Sequence, residues 1–556
     1  MSKAYLGIHP DSIILKMTKS TIKNIGLALL SGVLLLLPFL NFSLSPLAGV
    51  ALIPLIMVCV GRRPGEGALL GFLAGIIFGY GGMFWLARVT PGGYGVLGGY
   101  LALYVAAWAG WISWLSIRRR GWIWWAAPAG WVALEYLRTY LFTGIPWNLL
   151  GISQVKVLPL IQIASITGVY GVSFLVVLVN SVLASLCLSF LSSGSSVRHR
   201  RSGRLIPLLA AGVIILGTLI YGFRSLNESD VSSPDAEPLA ITLVQGGILQ
   251  ELKWKPSLAS AHFKTYLELS REALKTGSDL VLWPESALPF YLEHHPSIQR
   301  VLSNLADEGD AYLLIGGDYR SKAAPLQYFN SAYFFTPNVS GWERYDKTHL
   351  VPFGEYTPLK KFLPFVSAVV PWEEDFSAGD ELILFTLTRS IDGSSRVLRL
   401  GTLICFEDIF PGLVREMVSK GAGLLINLTN DAWYGRTIAP YQHAYLSLFR
   451  AVENRIYLVR ATNTGYSCII DPHGRIVGEV VDKTGETLFI SDWATITISP
   501  TPAGSFYTRW GDIFSWLCIS MALAASLGVG CCSGSPGRGQ RPRLQGKTSR
   551  SCSRGR

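Results

Sequence analysis

Acidic residues are almost missing from the first 222 positions of this 556-residue chain, although Lys and Arg recur through them. Such a segment has too little charge to face water on all sides, and its long apolar runs exclude an ordinary soluble domain. Cysteine is sparse as well. Of the eight, Cys59, Cys187, Cys518 and Cys531 lie in or beside apolar runs, and Cys532 and Cys552 fall in the terminal tail. Only Cys405 and Cys468 belong to the stretch of mixed composition, and no Cys-x-x-Cys pair occurs, so neither a disulfide framework nor a zinc site is indicated. His262, His294, His295, His349, His443 and His473 show no metal-ligand spacing, and neither a metal nor a cofactor is expected. Charged residues make up 15% of the chain, with a net charge of +11. The basic residues sit in short clusters between apolar runs, where they orient a membrane protein. Nucleic acid is therefore excluded as a partner.

What is present is a series of apolar spans at 24–41, 45–60, 67–87, 94–117, 122–138, 169–192 and 205–223, and a last one at 512–530. Each approaches the ~20 residues that cross a bilayer as a helix. Pro128 interrupts the fifth. Lys16, Lys19 and Lys23 precede the first span, and Arg62–Arg63, Arg118–Arg120 and Arg198–Arg204 fall on alternate loops. The positive-inside rule then puts all these clusters in the cytoplasm. The predicted organisation is a cytoplasmic segment over 1–23 and seven transmembrane helices over 24–223. A domain over 224–508 follows on the outer side, then an eighth helix over 509–530 and a basic, disordered cytoplasmic tail over 531–556. The start of the chain lacks a small-residue cleavage site, so no cleaved signal is expected, and Met17 reads as an alternative start. Trp147, in the outside turn Gly144-Ile-Pro-Trp147-Asn148, reads equally as an interfacial aromatic or as a functional residue.

In the outer domain, short β-rich runs alternate with helical patterns. Leu239–Val244, Asp279–Trp283, Ala311–Gly316, Leu398–Cys405, Gly423–Leu428 and Tyr457–Ala461 read as strands, several apolar on both faces. Helices must therefore flank them. Three strand ends carry a polar residue that an apolar strand would not choose. Val281-Leu-Trp-Pro284 ends in Glu285, the run from Tyr345 to Pro358 carries Lys347 and Glu355, and Leu398–Ile404 delivers Cys405 before Phe406-Glu407-Asp408. Alone, Cys405 reads as a small buried hydrophobe or as a nucleophile whose thiolate is favoured by the N–H dipoles of a following helix start. Together the three supply a base, a cation and a nucleophile, the requirements of acyl transfer through a thioester.

The ordered set Gln245-Gly246, Leu252-Lys-Trp254, Trp283-Pro-Glu285, Lys347 through Glu355, Cys405-Phe-Glu407, Asn427 through Asp431 and Arg460 through Gly465 resembles the nitrilase, or carbon–nitrogen hydrolase, superfamily. Joined to the membrane spans, it resembles that superfamily's membrane-embedded branch, the apolipoprotein N-acyltransferases. The resemblance implies an α-β-β-α sandwich with Glu285 as general base, Lys347 as oxyanion stabiliser and Cys405 as nucleophile. It implies accessory acids at Glu355 and Glu407 and, at Trp254, either substrate contact or packing. Phe406 stands where the family often has tyrosine, which removes a hydroxyl and keeps an aromatic face. The implied reaction moves an acyl chain from a phospholipid to the N-terminal amine of a diacylated apolipoprotein, in the bacterial inner membrane, by a monomer. A membrane-tethered amidase or nitrilase that hydrolyses is the alternative enzyme, and a membrane receptor without catalysis the other alternative. Residues 353–372, with Phe362 and Phe365 beside Lys360 and Lys361, are expected either to dip into the outer leaflet or to pack on the domain itself.

Overall fold

A computed structural model describes residues 19–191, 202–228, 237–321, 326–358, 375–391, 394–500 and 504–532. Six segments among these are long and apolar enough to cross a membrane, against the eight crossings expected: Thr21–Leu40, Phe42–Cys59, Pro64–Gly82, Pro91–Tyr140, Val169–Leu191 and Leu205–Asn227. The difference has two sources. Pro91–Tyr140 is one apolar run of 50 residues, but it holds two helices, Pro91–Arg119 and Ile123–Tyr140, hinged at Arg120–Trp122. The last helix, Ile513–Cys532, is 20 residues long, and its stretch Ile513–Gly528 stands among the shorter apolar helices. Pro128 does not interrupt Ile123–Tyr140.

Pro64–Gly82 packs along Pro91–Arg119 through a seam of small residues. A Cβ on Gly71 would lie 2.5 Å from the Cβ of Ala109, and one on Gly75 2.8 Å from the Cα of Ala102. Close approach of two helix backbones, the main source of attraction between helices in lipid, depends on those missing side chains.

Among the described residues the following domain contains twelve strands. They are β1 (Leu239–Gln245), β2 (Leu280–Leu288), β3 (Tyr312–Arg320), β4 (Tyr328–Phe335), β5 (Glu343–Asp346), β6 (Leu384–Ile391), β7 (Ser394–Ile404), β8 (Leu424–Thr429), β9 (Leu458–Thr462), β10 (Cys468–Ile470), β11 (Ile476–Glu479) and β12 (Asp492–Ile498). They form two six-stranded sheets, ordered β12-β1-β2-β3-β4-β5 and β11-β10-β9-β8-β7-β6. The central trios β1-β2-β3 and β7-β8-β9 are parallel, and the flanking pairs are antiparallel. Inward residues of both sheets, among them Ile241, Leu282, Leu314, Leu400, Ile426 and Val459, make the inter-sheet core. Helices Ala259–Leu274 and Pro296–Gly309 supply apolar residues to a second core on the outer face of the first sheet. The expected α-β-β-α sandwich is the fold.

Beside the second sheet, the helix Ala439–Asn454 is almost wholly buried and Pro411–Ser419 buries one face. Their Val414, Leu446 and Phe449 share one core with Phe39, Phe42, Trp85 and Trp147 of the membrane-side segments. Gln442 fastens this junction. Its Oε1 accepts from the indole N–H of Trp85 at 3.1 Å and of Trp147 at 3.0 Å, while its Nε2 donates to the carbonyl of Phe39 at 3.0 Å. Trp147 is fully buried, so the interfacial-belt reading is corrected: its ring packs 5.0 Å from Trp85 and 5.6 Å from His443. Gln442→Leu leaves two buried indole donors and a carbonyl without partners, at about 1–3 kcal/mol each. The thermal unfolding midpoint of the detergent-solubilised protein is expected to fall by at least about 5 °C. An unchanged midpoint would show that Gln442 does not fasten the junction.

Candidate active site

Each polar residue singled out at a strand end lies where the regular ladder breaks. In β2 the pairing with β3 slips between Trp283 and Leu288, and Ser286 has φ 46°. The kink turns Glu285 out of the strand. It is held from below by Trp283, whose indole donates to Ser270 Oγ at 2.8 Å and stacks on Tyr266 at 5.2 Å. Gly316 on β3 permits the kink, since a Cβ there would sit 2.2 Å from the carbonyl oxygen of Pro284. Cys405 follows β7 at the start of a single 3₁₀ turn, Cys405–Ile409, with φ 52°. A left-handed conformation costs a residue with a side chain about 1–3 kcal/mol and persists only where its neighbours hold it.

The carboxylates and the ammonium meet. Lys347 Nζ lies 2.8 Å from Glu355 Oε1 and 3.7 Å from Glu285 Oε1, with its side chain 1% exposed. Asn330 Nδ2 donates to both acids, at 2.7 Å to Glu285 and 2.9 Å to Glu355. The other oxygen of Glu285 accepts from the backbone N–H of Asn430 at 2.9 Å, and the other oxygen of Glu355 from that of Val351 at 2.7 Å. Burial alone would lower the Lys347 pKa, but Glu355 and then Glu285 outweigh it and hold the ammonium well above its ordinary value. Its closer partner is Glu355.

The half-buried Cys405 lies within the fields of both Glu285 and Lys347. Burial, then the Glu285 charge, pushes its thiol well above the usual range; Lys347 pulls the other way and loses. This corrects the expectation of a favoured thiolate. The 3₁₀ turn is too short to offset desolvation, and a base must remove the proton. Glu407, completely buried, is a strut. It accepts from the N–H groups of Ile404 (2.8 Å), Thr348 (2.7 Å) and His349 (3.1 Å) and from Tyr345 Oη (2.9 Å), tying the Lys347 loop to the Cys405 turn. Phe406 packs edge-to-face on Phe410 at 5.3 Å. Trp254 is 48% exposed, on the turn after Gln250–Lys253. Phe362 and Phe365 lie outside the described residues.

Two features escaped the sequence reading. Lys253, one residue before the exposed Trp254, is buried and donates from Nζ to the backbone carbonyl of Glu285 at 3.0 Å. Its only signal was its place in the Leu252-Lys-Trp254 motif. Behind Cys405, Asp408, Asp431, His443 and Arg460 form a fully buried ionic cluster. No local pattern marks it, because its members come from four separate segments.

Residues 240–502 match the carbon–nitrogen hydrolase family model, and residues 31–182 match the apolipoprotein N-acyltransferase N-terminal domain. An apolipoprotein N-acyltransferase of Geobacter metallireducens is 40% identical over 512 residues, covering 89% of this chain and 93% of that protein. One of Nitrosomonas europaea is 34% identical over 523 residues, covering 90% of this chain and 95% of that protein. A solved amidase of the nitrilase superfamily, from Nesterenkonia AN1, aligns at 20% identity and a TM-score of 0.35, over 48% of this chain and 92% of its own. The likeness to the two bacterial proteins runs through the membrane segments as well as the sandwich, and this chain belongs to the apolipoprotein N-acyltransferase family.

Proposed function

We propose that this multi-pass membrane protein moves a fatty acyl chain from a phospholipid, through a thioester on Cys405, to the α-amino group of a diacylglyceryl-cysteine at the N-terminus of an apolipoprotein. The observation that carries this reading is the meeting of Lys347 with Glu285 in the field of a half-buried thiol, in a domain whose helices share a core with the membrane segments. Glu285 takes the thiol proton as sulfur attacks the ester carbonyl. The Lys347 ammonium and the N–H of Phe406 meet the oxyanion. Collapse expels the lysophospholipid alkoxide, which recovers the proton from Glu285, and leaves the acyl-thioester. The acceptor amine then attacks the thioester and gives its proton to Glu285. The departing thiolate takes that proton back, and an amide is released. Eight crossings, with the sandwich on the periplasmic face, fit the alternating basic clusters and put both lipid substrates in the leaflet nearest the thiol. Sharing one bilayer raises their encounter and restricts their orientation.

The test supplies purified protein in mixed micelles with phosphatidylethanolamine, with and without a diacylated peptide bearing a free amine. An N-acylated peptide is expected, and the intact mass without peptide should show one fatty acyl on Cys405. Free fatty acid in place of amide would make the protein a hydrolase, and an unmodified Cys405 with neither product would make it a binding protein.

A further inference from the structure

Behind the nucleophile lies a closed set of ionic groups with no access to solvent. Asp408, Asn427, Asp431, His443, Ser447 and Arg460 are all 0% exposed. His443, on the helix Ala439–Asn454, stands between two carboxylates: Nε2 is 3.0 Å from Asp408 Oδ1, and Nδ1 is 2.8 Å from Asp431 Oδ1. Arg460, from β9, lies 2.6 Å from Asp408 Oδ2 and 3.5 Å from Asp431 Oδ2. Ser447 Oγ and Asn427 Nδ2 also donate to Asp408 Oδ2. A ring flanked by acceptors at both nitrogens satisfies both only when it carries two protons. Two carboxylates, one imidazolium and one guanidinium then sum to zero, the condition under which ionic groups are tolerated away from water.

Both ends of the cluster reach the reacting groups. Asn427 Nδ2 also donates to the carbonyl of Cys405 at 3.2 Å, and Asp408 belongs to the same 3₁₀ turn as Cys405. On the other side, Asp431 directly follows Asn430, whose N–H holds Glu285 Oε2 at 2.9 Å. One imidazole thus fixes the loop that carries the thiol and the loop that carries a ligand of the base. We propose that His443, as a doubly protonated ring, is a positioning residue that sets the nucleophile Cys405 against its base Glu285 by clamping Asp408 to Asp431. This rests on the assignment of Cys405 as nucleophile. The titration behaviour agrees. Burial would lower the pKa of His443 and Arg460 opposes its charge, yet Asp408 and Asp431 raise it to about 9. Its folded value lies above its unfolded one, so the clamp is complete at neutral pH and is lost as pH rises through about 9. The rings of Trp147 and Tyr434, which also face the imidazole, carry no formal charge at neutral pH.

The experiment is single-turnover acylation of the full-length, detergent-solubilised protein by phosphatidylethanolamine, followed by intact mass, with the unfolding midpoint measured in parallel. His443→Gln is expected to slow acyl-thioester formation about 30-fold, with the half-saturating lipid concentration unchanged within about twofold. Leu446→Ala, a buried change on the same helix, is expected to lower the midpoint comparably and leave the acylation rate within about twofold. Ser447→Ala removes one donor to Asp408 and keeps the ring. It should fold even where His443→Gln does not, and it is expected to slow acylation about fivefold. Normal acylation by Ser447→Ala together with His443→Gln, a loss matched by Leu446→Ala, or a change confined to lipid affinity would each overturn the proposal. If the unsubstituted protein carries no acyl group on Cys405, the assignment of the nucleophile falls, and this inference falls with it.

Discussion

Cys405→Ser is expected to abolish amide formation, with a loss on the order of 10⁴-fold or more in the rate of acyl transfer. The substitution keeps the volume, the φ of 52° and the surrounding bonds, so folding should be spared. What changes is the reacting atom. A thiol raised by burial still ionises far more readily than a hydroxyl placed in the same desolvated position. Any acyl group that did reach serine would be held as an oxygen ester, which yields to an amine more slowly than a thioester does. The measurement is intact mass together with peptide product: no acylated protein and no amide are expected. An amide appearing at a tenth of the ordinary rate or more would show that sulfur is not the carrier.

Lys347→Met should follow closely. The side chain is 1% exposed and lies 2.8 Å from Glu355 and 3.7 Å from Glu285. Methionine fills the space without charge. Two consequences are expected. The developing oxyanion loses its cation, which costs on the order of 10²–10³-fold in acylation. The thiol loses the opposite charge that pulls its pKa down, so alkylation of Cys405 by iodoacetamide at neutral pH should slow as well. Two neighbouring buried carboxylates also lose their counter-ion, and the midpoint should drop by the equivalent of about 3–5 kcal/mol. Glu285→Gln keeps the Lys347–Glu355 pair and removes the proposed proton acceptor. Its loss should therefore fall on acylation, on the order of 10²–10⁴-fold, with little change in stability. Equal behaviour of the two variants would contradict the separate roles given to base and cation.

The strands that carry Glu285 and Cys405 were legible because the stretches leading to those residues, Leu280–Trp283 and Leu400–Ile404, pair with parallel neighbours, are buried on both faces and are mostly apolar. The peripheral strands were not. Tyr328–Phe335 is interrupted by Asn330 and Ser331: Asn330 belongs to the site, bridging Glu285 and Glu355, and Ser331 donates at 2.6 Å to Asp346, the residue before Lys347. Function there disturbs the alternation that would announce a strand. The ion pairs of Lys347 could be guessed from residue type, since a base and an ammonium each carry their own chemistry. Trp147 could not, because a tryptophan beside a membrane segment looks the same from sequence whether lipid or a second domain covers it. His443 was passed over for a similar reason: its partners Asp408 and Asp431 lie 35 and 12 residues away and only meet through tertiary packing.

The pairing of β12 with β1 has a consequence for how the chain is made. Strand β1 lies between β2 and β12, and β12 is the last strand of the sandwich. A ribosome therefore delivers the first strand some 250 residues before the neighbour that covers its open side. Until residue 498 has emerged, β1 presents a row of unpaired peptide groups, the kind of edge that recruits other chains. Any truncation ahead of that point would leave the same edge exposed for the life of the molecule, so premature stop codons even close to the final helix should yield protein that clumps rather than a shortened enzyme.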